Sequence, residues 1–450
     1  MKTIIGSARA CAVEKILAGA LNPIRIVLTD ALILESCRAA KHRWNKCVWN
    51  PVVTVLACIR MEMDPNESVR KIEDWVAFLS AGLLKGPNDG RDFCAARRRL
   101  PIQVLYTLLQ TIGIRSSSKA GMHFKGLPVW ITDGTTLRTA NTPANAKTFG
   151  RSRNQSGRSR SPLLRLTLLV CAGCGAVLAA AAGPYSTSEW ELFLQMLLEI
   201  PPDGLLIADR AYSSFLTIAL LRQHGSHLLT RQHAWRKHMR RIRRYCPGDE
   251  IYELDKPRRH HVSRPDLLEQ CPETERVRLI TWKFERPGYC TVTLQLVTTL
   301  LDRELYPAHE LVELYQRRWN IELDLRTLKE KYELRRLEGR SPDIVRKQIY
   351  STLLAYNCVT VVMSETGQPV RDLSPTRARA LLMDYSQMMI HAPTHCLPKL
   401  YREMLALIAD ARIIRQQRLP QPRALIQRPS TFPVLTMSRR AWRRRSHVVA

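Results

Sequence analysis

The amino-acid sequence predicts an α/β protein, and three observations carry that prediction. Between residues 127 and 224, short apolar runs and helical patterns follow one another as strand, strand, strand, helix, strand, helix, the order of a layered α/β unit. Two apolar runs finish on carboxylates: Leu127-Pro128-Val129-Trp130-Ile131 leads to Asp133-Gly134, and Gly204-Leu205-Leu206-Ile207-Ala208 leads to Asp209. The chain has 450 residues, 45% hydrophobic and 24% charged, enough for several domains and typical of folded globular proteins.

The elements follow in order. Residues 1–125 read as a helical region. Val69, Ile72, Val76, Leu79 and Leu83 recur at helical spacing over residues 68–84, between the start signal Asp64-Pro65-Asn66 and the loop Gly86-Pro87-Asn88-Asp89-Gly90. A second helix is expected over residues 95–112, with Arg97, Arg98 and Arg99 opposing the helix dipole in its first turn. Residues 126–224 hold the α/β pattern: strands near 127–131, 163–171 and 175–182, a helix over 188–199 with Ser188 as N-cap, the strand before Asp209, and a helix over 212–224. Residues 225–305 form a β-rich insertion that opens with a basic cluster containing Arg236, Lys237, Arg240 and Arg241 around Trp235. In residues 306–365, helices are expected from Pro307 through Tyr332 and from Asp343 to Glu365. Residues 366–450 are helical near 375–391 and 397–417, and after Asp410 there are ten arginines and no acidic residue.

Composition narrows the function classes. Lys plus Arg is 69 against 40 for Asp plus Glu, a net charge of +29. Such a surface attracts polyanions, DNA among them. Of the 12 cysteines only Cys171 and Cys174 form a close pair. With no second pair, two thiols in an apolar strand pair fit better than a structural zinc site. The run Leu166–Ala182 is broken by Gly173 and Gly175 and fits two buried strands better than a membrane span. The N-terminus, broken by Arg9, Glu14 and Lys15, lacks the long apolar core of a signal peptide, so the expected location is cytoplasmic. No G-x-S-x-G elbow and no P-loop occurs, which argues against a serine hydrolase and against nucleotide hydrolysis.

A third acidic position lies in the helix that runs through residue 332. Tyr315, Glu322 and Lys329 are seven residues apart and share one stripe, with Arg318 four residues before Glu322. Leu311, Leu314, Ile321, Leu325 and Leu328 supply the apolar face. Arg318 and Glu322 can be an exposed helical ion pair, or a metal-binding glutamate flanked by cations for phosphate; spacing alone leaves both open.

Tyr-x2-Arg-x3-Glu-x6-Lys at 315–329 resembles the signature of the bacterial DDE transposases of the insertion-sequence-four family. Asp133-Gly134-Thr135 through Asn145 and Phe149-Gly150 resembles that family's first-aspartate region, and Asp209-Arg210-Ala211-Tyr212 its second. The resemblance covers roughly residues 10–365. It implies an RNase H-like core interrupted by the insertion. Asp133, Asp209 and Glu322 would hold two Mg²⁺ ions, with Mn²⁺ as a substitute. Tyr315, Arg318, Lys329 and Arg210 would contact phosphates. Residues 1–125 would be a DNA-binding domain, with Arg97, Arg98 and Arg99 at DNA, and the 231–244 cluster would track its backbone. An aromatic of the insertion, Trp282 ahead of Trp235, would stack on a flipped base, whereas Trp319 is expected in core packing. The implied activity is cleavage of element ends and joining to target DNA, through a hairpin, by a homodimer on nucleoid DNA without nucleotide cofactor or membrane. The alternative is a catalytically inactive repressor or architectural protein on the same fold.

Overall fold

The structure is a computed structural model that describes residues 22–45, 47–64, 66–79, 89–154, 157–233, 239–285, 291–413, 437–438 and 441. The chain forms two compact units, residues 1–283 with 293–413, and residues 284–292 with 414–450. No helix among the described residues is long and apolar enough to cross a membrane.

The N-terminal region is helical: α1 (Asn22–Val27), α2 (Asp30–Ala39), α3 (Pro51–Met63), α4 (Val69–Leu79), α5 (Arg91–Arg99) and α6 (Ile102–Ala120). The helix expected over residues 95–112 is in fact two. Pro101 disfavours helical geometry at the residue before it, and Leu100 is extended at φ −62°, ψ 120°. Arg97, Arg98 and Arg99 therefore occupy the last turn of α5, where cations favour the helix dipole. The dipole cost expected for them does not arise. The start of α5 has no cap of its own; the buried Glu73 of α4 accepts the N–H groups of Gly90 at 2.6 Å and Phe93 at 2.9 Å.

One large sheet organises the rest. Its main strands are β1 (Leu127–Thr139), β2 (Leu163–Cys171), β3 (Val177–Pro184), β4 (Leu205–Ala208), β5 (His227–Arg231), β6 (Met239–Cys246), β7 (Asp249–Asp255), β8 (Thr274–Phe284) and β9 (Val292–Thr298). They lie in the order β3-β2-β1-β4-β5-β9-β8-β7-β6. β2 is antiparallel to both β1 and β3, whereas β1, β4 and β5 run parallel. The strand that follows residue 225 thus lies beside β4, and the remaining insertion strands extend the same sheet. The apolar run at 166–182 is the β2–β3 hairpin, buried throughout its centre.

Helices in this part are α7 (Pro143–Phe149), α8 (Glu189–Leu194), α9 (Phe215–Gln223), α10 (Pro265–Glu269), α11 (Ala308–Gln316), α12 (Trp319–Lys331), α13 (Pro342–Ser364), α14 (Pro375–His391) and α15 (Leu397–Asp410). α13, buried throughout residues 351–363, packs against α6. Its Asn357 seals the contact with the sheet edge: Oδ1 accepts Val177 N–H at 2.8 Å, and Nδ2 donates to the Val177 carbonyl at 2.7 Å. A Cβ at Gly113 of α6 would lie 2.4 Å from that carbonyl, so glycine permits the close approach of helix and strand.

The helix expected from Pro307 through Tyr332 is also two. Arg317, Arg318, Asn320 and Ile321 each donate their backbone N–H three residues back, a tightened turn between α11 and α12. No glycine or proline marks it.

Candidate active site

β1 does not stop at Asp133. It continues to Thr139 and stays paired with β2 as far as Arg138. Its other edge is covered by β4 only through Ile131, and by the short strand Arg336–Leu337 only at Arg138 and Thr139. Among the described residues no strand pairs with the β1 edge between them, and Asp133 lies there. The rim expected at the end of its own strand is made by the end of β4. Asp209 follows that end, where its Oδ1 accepts the Ala211 N–H at 2.8 Å and caps the turn at 210–212.

α12 brings the third carboxylate. The Arg318 guanidinium lies 3.1 Å from Glu322 Oε1 and 3.9 Å from Asp133 Oδ2. The Arg318–Glu322 ion pair is therefore present, and it also faces Asp133. Burial, opposed by the Gly134 N–H and Arg318 and reinforced by Glu189 and Asp209, pushes the Asp133 carboxyl up to about 6. Burial lowers the Lys329 ammonium, while the charge of Asp133 opposes that fall. Tyr315 is buried, and burial, opposed by Arg318 and Arg231 and reinforced by Asp209, pushes its hydroxyl up to about 12. Asp133, Asp209, Tyr315, Arg318 and Lys329 thus belong to one electrostatic neighbourhood, and Glu322 joins it through Arg318. Among the described residues, no three His, Cys, Asp or Glu side chains are grouped closely enough to hold an ion together.

Two grooves adjoin these residues. One, about 920 Å³, runs from Lys329 past Arg335 and Arg138 to Asn141 and Ser161. The other, about 880 Å³, is lined by the exposed Arg210 together with Trp190, Phe215 and Ser213.

Several expectations change. Trp319, expected in the core, is 59% exposed, and the Arg318 guanidinium lies 4.7 Å from its ring centroid. Trp282 is half-buried and packs against the core. Arg240 and Arg241 lie on β6 with carboxylate partners: Arg240 bonds to Glu253, and Arg241 lies 3.2 Å from Glu250. Part of the cluster's charge is thus balanced by its neighbour β7. Trp235, Arg236 and Lys237 lie outside the described residues. Arg98 and Arg99 are exposed, whereas Arg97 is half-buried with its guanidinium 5.4 Å from the Phe93 ring centroid. Cys171 and Cys174 are buried thiols at the β2–β3 turn.

The sequence reading missed Glu189. It opens α8 and sits over Gly134, where a Cβ would fall 2.3 Å from the Glu189 Cδ. In sequence an acid after an N-cap serine marks only a helix start; what makes Glu189 notable is its long-range placement.

A family model for the transposase DDE domain matches residues 125–358. The transposase InsG of insertion sequence element IS4 from Escherichia coli K12 is 24% identical over 352 residues, covering 75% of this chain and 76% of that protein. Among solved structures, the piggyBac transposase synaptic complex with hairpin DNA aligns with 88% of this chain and 86% of its own at 10% identity and a TM-score of 0.39. The matched span contains Asp133, Asp209, Glu322 and the 315–329 signature. The chain belongs to the DDE transposases, in the insertion-sequence-four family.

Proposed function

We propose that the protein cuts the ends of its insertion element and joins them to target DNA, with Asp133, Asp209 and Glu322 as its catalytic carboxylates. The observation that carries this reading is the convergence of Asp133, Arg318, Glu322 and Lys329 beside the β1 edge, in a chain of this family. A β3-β2-β1-β4-β5 sheet with only β2 reversed supports an RNase H-like core.

The donor type, carboxylate oxygen, suits hard divalent cations, although no three of the described acids are drawn together around one position in this structure. Burial raises the carboxyls of Asp133 and Glu189, and nearby acids add to it, Glu189 and Asp209 for Asp133 and Asp209 for Glu189, a repulsion that a dication would relieve. When bound at Asp133, Asp209 and Glu322, two Mg²⁺ ions, or Mn²⁺ in their place, supply stabilisation of the attacking and leaving oxygens of phosphodiester cleavage and transfer. The protein's own groups do the rest. Arg318 holds Glu322 and Asp133 in register, and a phosphate entering the site draws on Arg318, Lys329 and Arg210 for charge balance. Tyr315 backs Arg318 from the core. The exposed Trp319 ring offers a stacking face beside the site and competes with Trp282 for an unpaired base. Joining two ends calls for a homodimer on DNA, in the cytoplasm at the nucleoid.

The test is strand cleavage of DNA carrying this gene's own flanks, with Mg²⁺ or with a chelator. Metal-dependent cuts at the element boundaries are expected, and a hairpin on the element end marks that route. Salt-sensitive binding with no cleavage in either metal would favour the inactive DNA-binding protein instead.

Trp319→Ala separates the two aromatic candidates. A stacked base contributes ~1–3 kcal/mol, so affinity for an end with unpaired bases should fall roughly tenfold with unchanged melting, because the ring is largely exposed. Trp282→Ala should lower the melting temperature through lost packing. A gel-shift titration paired with thermal melts of both variants checks this.

A further inference from the structure

We propose that the pocket between the end of α2, the start of α3 and the end of α5 binds one phosphate of the element's DNA backbone, with Arg43, Arg99 and His42 as its donors. The proposal rests on the cutting-and-joining reading above. It adds a site that shares no residue with the catalytic positions.

The pocket measures about 260 Å³. At ~30 Å³ per water, that is room for a phosphodiester group and a few waters. His42, Arg43, Trp44 and Arg99 line it, with Pro51 and Thr54 from the first turn of α3, and no described acid does. Arg43 and Arg99 are exposed and form no ion pair among the described residues. Other surface arginines face carboxylates, as Arg91 does Asp89 at 2.5 Å. Guanidinium groups that share a concavity without a carboxylate are suited to phosphate oxygens.

The local backbone holds these groups in place. α2 ends in a Schellman turn, in which Lys41 N–H donates to the Arg38 carbonyl and His42 N–H to the Cys37 carbonyl, both at 2.9 Å. Lys41 takes φ +53°, a conformation usual for glycine. The His42 ring follows directly and lies 5.9 Å from the Trp44 ring. Lys347 of α13 donates to the Arg98 carbonyl at 2.9 Å, which fixes the end of α5 beside the pocket.

A second observation is the field at His42. Burial, Arg99 and Lys347 all lower its imidazole, and among the described residues no carboxylate offsets them. Lys347 is itself paired with Asp343 at 2.7 Å, and Arg43 adjoins His42 in sequence. The pocket is therefore positive before any ligand enters, and an anion in it favours the protonated imidazole. Arg97 is turned elsewhere, to the Phe93 ring and the Met61 sulfur. Trp44, 36% exposed, offers a face to the sugar or base beside the phosphate. The rival role is a solvated basic face that binds nothing in particular.

The experiment measures binding of the full-length protein to a duplex carrying this gene's own flank, by fluorescence anisotropy, alongside thermal melting. The variants are the double Arg43→Gln/Arg99→Gln, His42→Gln and, as a control, Arg91→Gln. The double variant should bind roughly tenfold more weakly, with the slope of log affinity against log salt shallower by about one, and should melt like wild type. Arg91→Gln, on the same helix α5 but outside the pocket, should bind like wild type. A bound phosphate raises the imidazole that the free pocket lowers, so wild-type affinity should fall from pH 5.5 to pH 7.5, and His42→Gln should reduce that fall. Unchanged binding by the double variant, or an equal loss in Arg91→Gln, would overturn the proposal in favour of the solvated face. Inorganic phosphate, exchanged for chloride at matched ionic strength, tests the source of the anion. If it raises the melting temperature of wild type but not of the double variant, while both bind DNA equally, the pocket serves a small anion and the DNA contact is overturned. If wild type cuts the duplex with Mg²⁺ and the double variant binds it as tightly, only the pocket fails. If wild type neither binds nor cuts it, the cutting-and-joining reading fails and the pocket with it.

Discussion

Asp133→Asn is expected to abolish strand cleavage and at the same time to stabilise the metal-free protein above neutral pH. The first effect follows from the carboxylate's assigned work. Divalent ions at such a site contribute several kcal/mol of transition-state stabilisation, so losing a ligand costs roughly 10²–10⁴-fold in rate. The second effect has the opposite sign because of where Asp133 lies. Burial raises its carboxyl from 3.8 to about 6. A raised carboxyl contributes stability while it is protonated, and that contribution is lost as pH rises from about 4 through about 6. At pH 8 the wild type carries an ionised, largely buried carboxylate at a cost of up to about 3 kcal/mol, and asparagine removes that cost. Cleavage assays and chelator-treated melts at pH 4 and pH 8 test both effects. Cleavage within tenfold of wild type would exclude Asp133 as a catalytic ligand. Equal melting of variant and wild type at both pH values would exclude the electrostatic cost.

The same residue shows how far the sequence could be read. Its identity as a strand-borne carboxylate was visible in the apolar run before it. Its position relative to the rim was not, because the rim is made by the end of β4, more than seventy residues later in the chain. Asp209 was legible in both respects, since its own short strand ends beside it. The apolar face Leu311, Leu314, Ile321, Leu325 and Leu328 is buried as its spacing predicts. The turn at Arg317 and Arg318 left no mark in composition, so the stripe drawn along one helix is in fact carried by two. Trp319 follows from that turn: read on a continuous helix it was assigned to the core, and in the structure it is exposed. Pro101, by contrast, was available in the sequence as the signal that ends α5. Glu189 and Gly134 are an acid and a glycine 55 residues apart, and neither points to the other until β1 and α8 pack.

Arg371→Leu is expected to destabilise the protein by roughly 3–5 kcal/mol and to slow cleavage although Arg371 is not among the site residues. Its target is Asp324, two residues after Glu322 on α12 and buried against the sheet. Arg371 Nη1 lies 2.5 Å from Asp324 Oδ1, and the Tyr356 hydroxyl donates to the same oxygen at 3.2 Å. Arg371 also donates to the Cys171 carbonyl at 3.3 Å, so it ties α12 to the β2–β3 turn. Removing the cation leaves a buried carboxylate with one neutral donor, and α12, which carries Glu322 and Lys329, loses its charged tether. Burial already raises the Asp324 carboxyl, and Arg371 is the main opposing influence. Without Arg371 the carboxyl rises further. The stability it supplies when protonated is lost as pH rises through that value, so the variant should be more destabilised at pH 8 than at pH 5. Adding Asp324→Asn should restore part of the loss, because a neutral amide does not need the partner. Urea unfolding of the two single variants and the double variant at both pH values measures the coupling. Additive losses, or a penalty independent of pH, would show that Arg371 acts through packing alone and not as the counter-charge that holds the catalytic helix.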